Sequence, residues 1–415
     1  MSTAEEHLFR GSGTASTSVV LAGSTLRTLA YAAAAISLLS LGFFLLSILN
    51  NAFGFVAVRY TRDISAVAPG AESLEELGTQ ELLLLLEENL PSGVLRRMEF
   101  EEPLAQRSRQ EIIDLAEARI LEPELVRTWT LWESLTTEGL VSAHTEQFPS
   151  HRVYFRSWLN LDTITTQVAT QPLRSGFQSA LIGTIWLVVI GAGSSLIVGV
   201  LSAIYLEEFA RKNAFNRFLN INIRNLSAIP PVIYGLLGLA FFVQVLGPIT
   251  GGSAFGAATA QDDGRTLLTG GLTLGLVALP TVVTGAQTVL QSMPMSYRYA
   301  CSSVGARRWQ VVFMRLLPFG LERFLTLSVL AVSRVIGETT PLIVAGAATF
   351  MATNPTSPFS KFTALPVQIF FWSTRNQEGF RNLAAGAIVL LLIISLGLNS
   401  ALVLLRRQAE QSRER

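Results

Sequence analysis

A single cysteine, Cys301, excludes an intrachain disulfide and leaves nothing from which to build a cysteine zinc cluster. Histidine is scarce too. His7, His144 and His151 all lie outside the apolar stretches, and none has a second histidine or cysteine at ligand spacing, so the sequence argues against a metal site. Lysine is rarer still: neither Lys212 nor Lys361 follows a glycine, so the Gly-Lys-Ser/Thr core of a nucleotide phosphate-binding loop is absent and ATP cannot be hydrolysed by that route. Charge of either sign is sparse, at 15% of residues against roughly 25% in soluble domains. With a net charge of +1 the chain also lacks the basic excess of a nucleic-acid binder, and no nucleic-acid partner is expected.

Apolar residues fill half of the sequence instead. A bilayer core about 30 Å thick needs about 20 mostly apolar residues in a helix. Six stretches reach that length, near 26–53, 176–205, 226–246, 267–290, 319–350 and 383–405. The first is too long for the apolar core of a signal peptide and shows no convincing cleavage site, so it reads as an uncleaved anchor. Gly191, Gly193 and Gly199 in the second let helices approach closely. Pro230-Pro231 opens the third and predicts a kink, and Pro280 lies inside the fourth.

Arginine and lysine set the orientation. They gather between the second and third stretches (Arg211, Lys212, Arg217, Arg224), between the fourth and fifth (Arg298, Arg307, Arg308, Arg315) and after the sixth (Arg406, Arg407, Arg413, Arg415). Those flanks, and with them both termini, are therefore expected in the cytoplasm. The long segment after the first stretch then faces outside. It is acidic, with Glu87-Glu88, Glu99 and Glu101-Glu102, and its leucines fall at helical spacing over 72–89 and 109–133, predicting a small helical domain. Its Leu82–Leu86 run is too short to span and reads as a helix face packed in that domain's own core. The expected architecture is an all-α membrane protein: a cytoplasmic N-terminus over 1–25, a first helix over 26–53, an extracytoplasmic helical insertion over 54–172, a core of five further transmembrane helices over 173–406, and a cytoplasmic tail over 407–415.

Two segments carry chemistry. Between the fourth and fifth helices, Tyr299-Ala300-Cys301, Gly305 and Leu317-Pro318 mark a helix, a glycine turn and a second helix. Such a unit makes a compact knob that fits a cleft in another protein, and a glycine at the turn takes a positive φ. The plainer reading is a basic loop that merely anchors the two helices. In the fifth helix, Ala331-Val-Ser-Arg334-Val-Ile-Gly337-Glu338-Thr-Thr-Pro341-Leu342 places an arginine and a glutamate four residues apart. Ionisable residues inside a membrane are costly and mark a pathway or face a partner. At that spacing the two share a helix face and can pair; the plainer reading is an ion pair that only fixes helix packing. Asn225-Leu-Ser-Ala-Ile-Pro-Pro-Val-Ile-Tyr-Gly235 opens the third helix, and Phe362-Thr-Ala-Leu-Pro-Val-Gln-Ile-Phe370 with Trp372 precedes the sixth.

Together these blocks, over roughly residues 175–405, resemble the PstA family of phosphate-importer permeases, within the binding-protein-dependent ABC-importer permeases. The Tyr299–Pro318 segment is similar to their coupling loop, known by Glu-Ala-Ala, then Gly, then Leu-Pro, with Tyr299 in place of the glutamate and Arg315 where an aliphatic residue is usual. The resemblance implies the type I ABC-importer permease fold, in a bacterial inner membrane. It implies ATPase coupling through Tyr299, Ala300, Gly305, Arg307, Leu317 and Pro318, and a transport-pathway or gating role for Arg334, Glu338, Thr339 and Thr340. The implied partners are a second, PstC-like permease, a PstB-like ATPase dimer, a PstS-like extracytoplasmic phosphate-binding protein and membrane lipid. ATP and Mg would be bound by the ATPase, and this chain would carry no cofactor. The implied solute is inorganic phosphate. Two other readings stand beside it: a permease for sulfate or molybdate, and a non-transporting receptor or scaffold working through the outer segment. The region before about 150 shows no resemblance beyond a leading helix.

Overall fold

The computed structural model describes residues 13–62, 67–68, 74–101, 103–104, 107–136, 138–256, 264–351 and 353–414. The first twelve residues of the expected N-terminal tail, with His7, and the last residue, Arg415, lie outside these. From α1 (Gly13–Ala52) the chain runs directly into strand β1 (Phe53–Tyr60). Three short helices follow, α2 (Thr79–Asn89), α3 (Ser92–Glu101) and α4 (Arg109–Ala116), the last carried to Leu121 by a wider turn. Strand β2 (Pro123–Thr128), α5 (Leu131–Thr136), α6 (Glu138–Gln147) and strand β3 (His151–Ser157) complete the insertion. The membrane part comprises α7 (Gln178–Ile204), α8 (Ala214–Leu226), α9 (Pro231–Gly238), α10 (Leu267–Gln291), α11 (Met295–Ser303), α12 (Arg308–Val311), α13 (Leu317–Gly337), α14 (Thr340–Ala345), α15 (Leu365–Ser373) and α16 (Glu378–Glu414).

Among the described residues, five stretches are long and apolar enough to cross a bilayer: Arg27–Ala52, Gln178–Phe209, Leu267–Gln291, Arg308–Gly337 and Glu378–Gln408. A sixth exists only if α8 and α9 count as one element, and these are bent against each other by 111°. The third expected span, 226–246, thus opens at a sharp corner, and its remainder, Pro231–Val245, runs on as helix. The double proline explains it: Pro230 and Pro231 have no N–H to continue the ladder of α8, while Pro231 is well placed in the first turn of a new helix. The fifth span also ends earlier than expected, at Gly337 rather than near Phe350, with Pro341 restarting the chain as α14.

Helix α10 lies at the centre. Leu274, Val277, Ala278, Val282, Val283 and Ala286 are buried along it, packed against α7 and α13. The approach of α7 is tight enough that a Cβ added at Gly199 would stand 2.7 Å from Val282 Cγ1. Helix α1 sits at the edge, where Ile48 and Ala52 pack against Ala385 of α16 with Ile388 and Val389 beside it, and leaves Leu38, Leu39 and Phe43 exposed on the surface that acyl chains would cover.

The all-α expectation fails in the insertion. An antiparallel sheet in the order β2-β1-β3 runs through it. The leucines of 72–133 repeat at helical period, while two short segments carry the strand signal: Phe-Gly-Phe-Val-Ala-Val and His-Arg-Val-Tyr-Phe-Arg-Ser, rich in aromatic and β-branched residues. Phe55 lies directly opposite Phe155, their rings edge-on at 5.6 Å. Nor is the sheet detached from the membrane part. Val56 and Val58 share one core with Trp158 and Phe177 and with Leu365, Trp372 and Phe380 at the ends of α15 and α16. The helices of the insertion have a separate core, in which Leu82, Leu85 and Leu86 pack on Ile112, Ile113 and Ile120, the role expected of the leucine run.

Candidate functional site

The segment from Pro294 to Pro318 is built as a knob. Helix α11 ends at Ser303, Gly305 turns the chain with φ +81°, and α12 begins at Arg308. Gln310 Oε1 accepts the Arg307 N–H at 2.8 Å, closing one orphan donor of that helix start. One face is anchored, with Val311, Val312 and Leu316 buried against Ala203, Ile204, Val283, Leu290 and Met293. The other face is open: Tyr299 is 65% and Val304 84% exposed, and Ala300, Gly305, Arg307, Trp309 and Pro318 join them, while Leu317 is half-buried. All six residues expected to couple therefore belong to one protruding unit.

A clamp that the sequence reading missed holds this unit. Glu208 Oε1, just past α7, accepts from Arg298 Nη2 at 2.6 Å and from Nε at 3.2 Å. The same guanidinium reaches the Leu290 carbonyl at 3.0 Å and the Met293 carbonyl at 3.3 Å, at the end of α10. Beside it Gln291 Nε2 donates to Glu207 at 3.0 Å. A salt bridge whose side chains are only 20% and 14% exposed thus ties α11 to both α7 and α10. The available signal was Glu207-Glu208, an acidic pair on a flank otherwise basic.

The helix-five motif takes a different form from the one expected. Helix α13 stops at Gly337, and Glu338 is extended at φ −94°, ψ 104°. A four-residue spacing puts two side chains on one face only while the helix lasts, so Arg334 and Glu338 form no ion pair. Arg334, half-buried in the last turn, keeps a buried Nε with no acceptor among the described residues. Thr339 stands at the N-cap position of α14, without a side-chain capping bond, and Thr340 begins the helix. Helix α14 lies against α9, where a Cβ at Gly235 would come within 2.9 Å of both Pro341 Cα and Val344 Cβ. Near the far end of α14, Gln368 is fully buried and donates to Thr363 Oγ1 at 2.7 Å and to the Thr349 carbonyl at 3.2 Å, while its Oε1 has no partner. The break leaves the last carbonyls of α13 outside a continuous helix, beside one cation, one carboxylate and two hydroxyls.

Membrane-length helices around one buried helix, an anchored knob at one end and a broken helix within make the layout of a transport permease. No family model matches the chain. It is 30% identical over 241 residues to the phosphate transport system permease protein PstA of Haemophilus influenzae, covering 57% of this chain and 78% of that protein. It is 28% identical over 165 residues to the PstA homolog of Mycoplasma pneumoniae, 40% of this chain, and spans only 24% of that protein's length. Among solved structures, the inward-facing MetNI methionine ABC transporter aligns over 55% of this chain and 93% of its own, at 15% identity and a TM-score of 0.41. The chain belongs to the PstA family of phosphate transport system permeases.

Proposed function

We propose that this chain is the transmembrane permease subunit of an ATP-driven importer of inorganic phosphate in a bacterial inner membrane, with both termini in the cytoplasm. Beyond the family, the observation that carries the reading is the knob, which offers Tyr299, Val304 and Trp309 to a partner on one face and is bolted to the bundle on the other. The partner on that face is a PstB-like ATPase dimer, which binds ATP and Mg and performs the hydrolysis. A PstC-like permease completes the membrane unit, and a PstS-like protein delivers phosphate from outside.

The chain's own residues convert movement of the knob into movement of helices. Arg298 joins α11 to the ends of α7 and α10, so these shift together. Leu316 and Pro318 pass the displacement directly into α13, and the break at Gly337–Thr339 absorbs it, so that α14 keeps its seat on α9. Arg334 stands at that break, and its cation suits an oxyanion better than lysine would, because the guanidinium fork matches oxyanion geometry. Uptake of radiolabelled phosphate in a strain lacking this chain, with and without its restoration, tests the proposal. Restored uptake that unlabelled phosphate suppresses and sulfate or molybdate does not is the expected result. Suppression by sulfate or molybdate instead would move the chain to another oxyanion.

A further inference from the structure

At the seam between the insertion and the start of α7, three arginines face one concavity. Arg152 and Arg156 come from β3 and Arg174 from the turn just before the membrane helix; with Tyr154, Leu173, Pro123 and Glu117 they line a cavity of about 460 Å³. Arg156 is partly spoken for: its Nη2 donates to the Leu173 carbonyl at 2.8 Å and its guanidinium stacks 4.8 Å over Trp158, but its Nε is buried without an acceptor. Arg174 is less well provided, with both Nε and Nη2 buried and neither finding an acceptor among the described residues. Those two nitrogens form the side-on edge of the guanidinium, whose parallel N–H bonds grip a carboxylate or phosphate two at a time.

Such donors are rarely left unmatched, because burial removes the water that would otherwise satisfy them. Local charge sharpens the case. Burial pushes the Arg174 pKa below its ordinary value, Arg119 pushes it further down, and Glu122 offsets part of this. The one carboxylate lining the cavity, Glu117, accepts from the Tyr60 hydroxyl. Burial raises that hydroxyl to about 12, so it stays a neutral donor. Asp162 lies beyond, on an adjoining cavity that shares Arg156 and Arg174.

We propose that Arg174, Arg156 and Arg152 form a binding site for a phosphate-type oxyanion at the outer mouth of the protein, separate from the membrane pathway at Arg334. A turn of the Arg174 guanidinium about its terminal torsions brings its side-on edge to the anion, Arg156 adds its Nε, and Arg152 supplies charge from the strand. The occupant's chemistry is a singly or doubly charged phosphate group, carried either by free inorganic phosphate or by a phospholipid headgroup.

The test uses full-length protein in a phosphate-free, non-phospholipid detergent, titrated calorimetrically with inorganic phosphate. Saturable binding is expected, weakened at least about tenfold by Arg174→Gln and severalfold by Arg152→Gln. Arg152 is exposed on its strand, so its variant keeps the test decisive if Arg174→Gln fails to fold. No saturable binding by the unaltered protein, or unchanged affinity in both outer variants, overturns the proposal. The same titration in nanodiscs of phosphatidylglycerol and of phosphatidylcholine separates the sources. Competition by phosphatidylglycerol that disappears in Arg152→Gln identifies a headgroup, and equal affinity in both identifies free phosphate. The site does not rest on the transport reading: binding here without phosphate uptake would leave it standing and overturn that reading alone.

Discussion

Gly305 allows the knob to be tested through backbone conformation alone. Its φ of +81° lies in the left-handed region, and an added Cβ would meet nothing within 4 Å. A substitution there therefore introduces strain without a clash. An ordinary L-residue in that conformation costs about 1–2 kcal/mol, while asparagine tolerates it and β-branched residues resist it most. One to two kcal/mol is a factor of about 5–30 in the population of the native turn. The order expected for phosphate uptake is Gly305 ≈ Gly305→Asn > Gly305→Ala > Gly305→Val, with all variants inserted and Val311, Val312 and Leu316 still seated in their core. Uptake into membrane vesicles, with a pull-down of the ATPase to show assembly, measures the series. Normal transport by an assembled Gly305→Val protein refutes the coupling role. An Asn variant as poor as the Val variant refutes the conformational argument, since it would mean that the surface rather than the φ angle matters.

Arg298→Met should leave Glu208 facing a partly buried site without its cation; a fully buried pair broken this way loses about 3–5 kcal/mol, and the residual exposure of 20% and 14% trims that figure. A drop in thermal stability with ATP hydrolysis uncoupled from uptake is expected, and an unaltered melting temperature would count against the clamp. Gly235→Val should separate α9 from α14, because its Cβ would come within 2.9 Å of Pro341 and Val344; a variant that assembles and transports normally would show that the seat is not needed. Arg334→Gln and Glu338→Gln should act independently in a double-variant cycle, with a coupling energy within about 0.5 kcal/mol, and a larger value would restore the ion pair that the helix break removes. His144 is buried among Trp129, Phe148 and His151, and burial first, then His151 and Arg127, hold its pKa below the ordinary value. The unfolded chain then binds the proton first, near about pH 6.5, so stability should fall as the pH drops below that point. Tryptophan-fluorescence melts of the full-length protein at about pH 7.5 and about pH 5.5 check the sign, and equal or higher stability at the lower pH would contradict it.

How much could be read in advance varied with the physics involved. Spans such as 267–290 and 383–405 were legible because a run of apolar residues is a one-dimensional signal, and the helices fell where expected. The glycine of the knob was legible for a related reason, since a turn between two helices demands a backbone conformation that few residues adopt. The corner at Ser227–Pro230 was half legible: two prolines announce a break but not its angle. Arg334 and Glu338 were misread because their relation depended on the helix continuing for one more turn past Gly337. The Arg298–Glu208 clamp joins residues 90 positions apart, and no local pattern could pair them. The strands were present as short alternations, masked by a louder leucine period nearby.

The two ends of the insertion meet. Phe53 stands opposite Ser157 in the sheet, and the Trp158 N–H donates to the Ala52 carbonyl at 3.0 Å. The outermost rung of this ladder pairs Arg59 with His151, so the chain enters and leaves the insertion through a closed hairpin stem. Such a stem by itself fixes where the two chain ends of the insertion stand. The stem is in this sense a graft junction. A two-residue turn joining its tips would satisfy the same strand geometry, and lobes of quite different size and content could be carried there without changing the distance between α1 and α7.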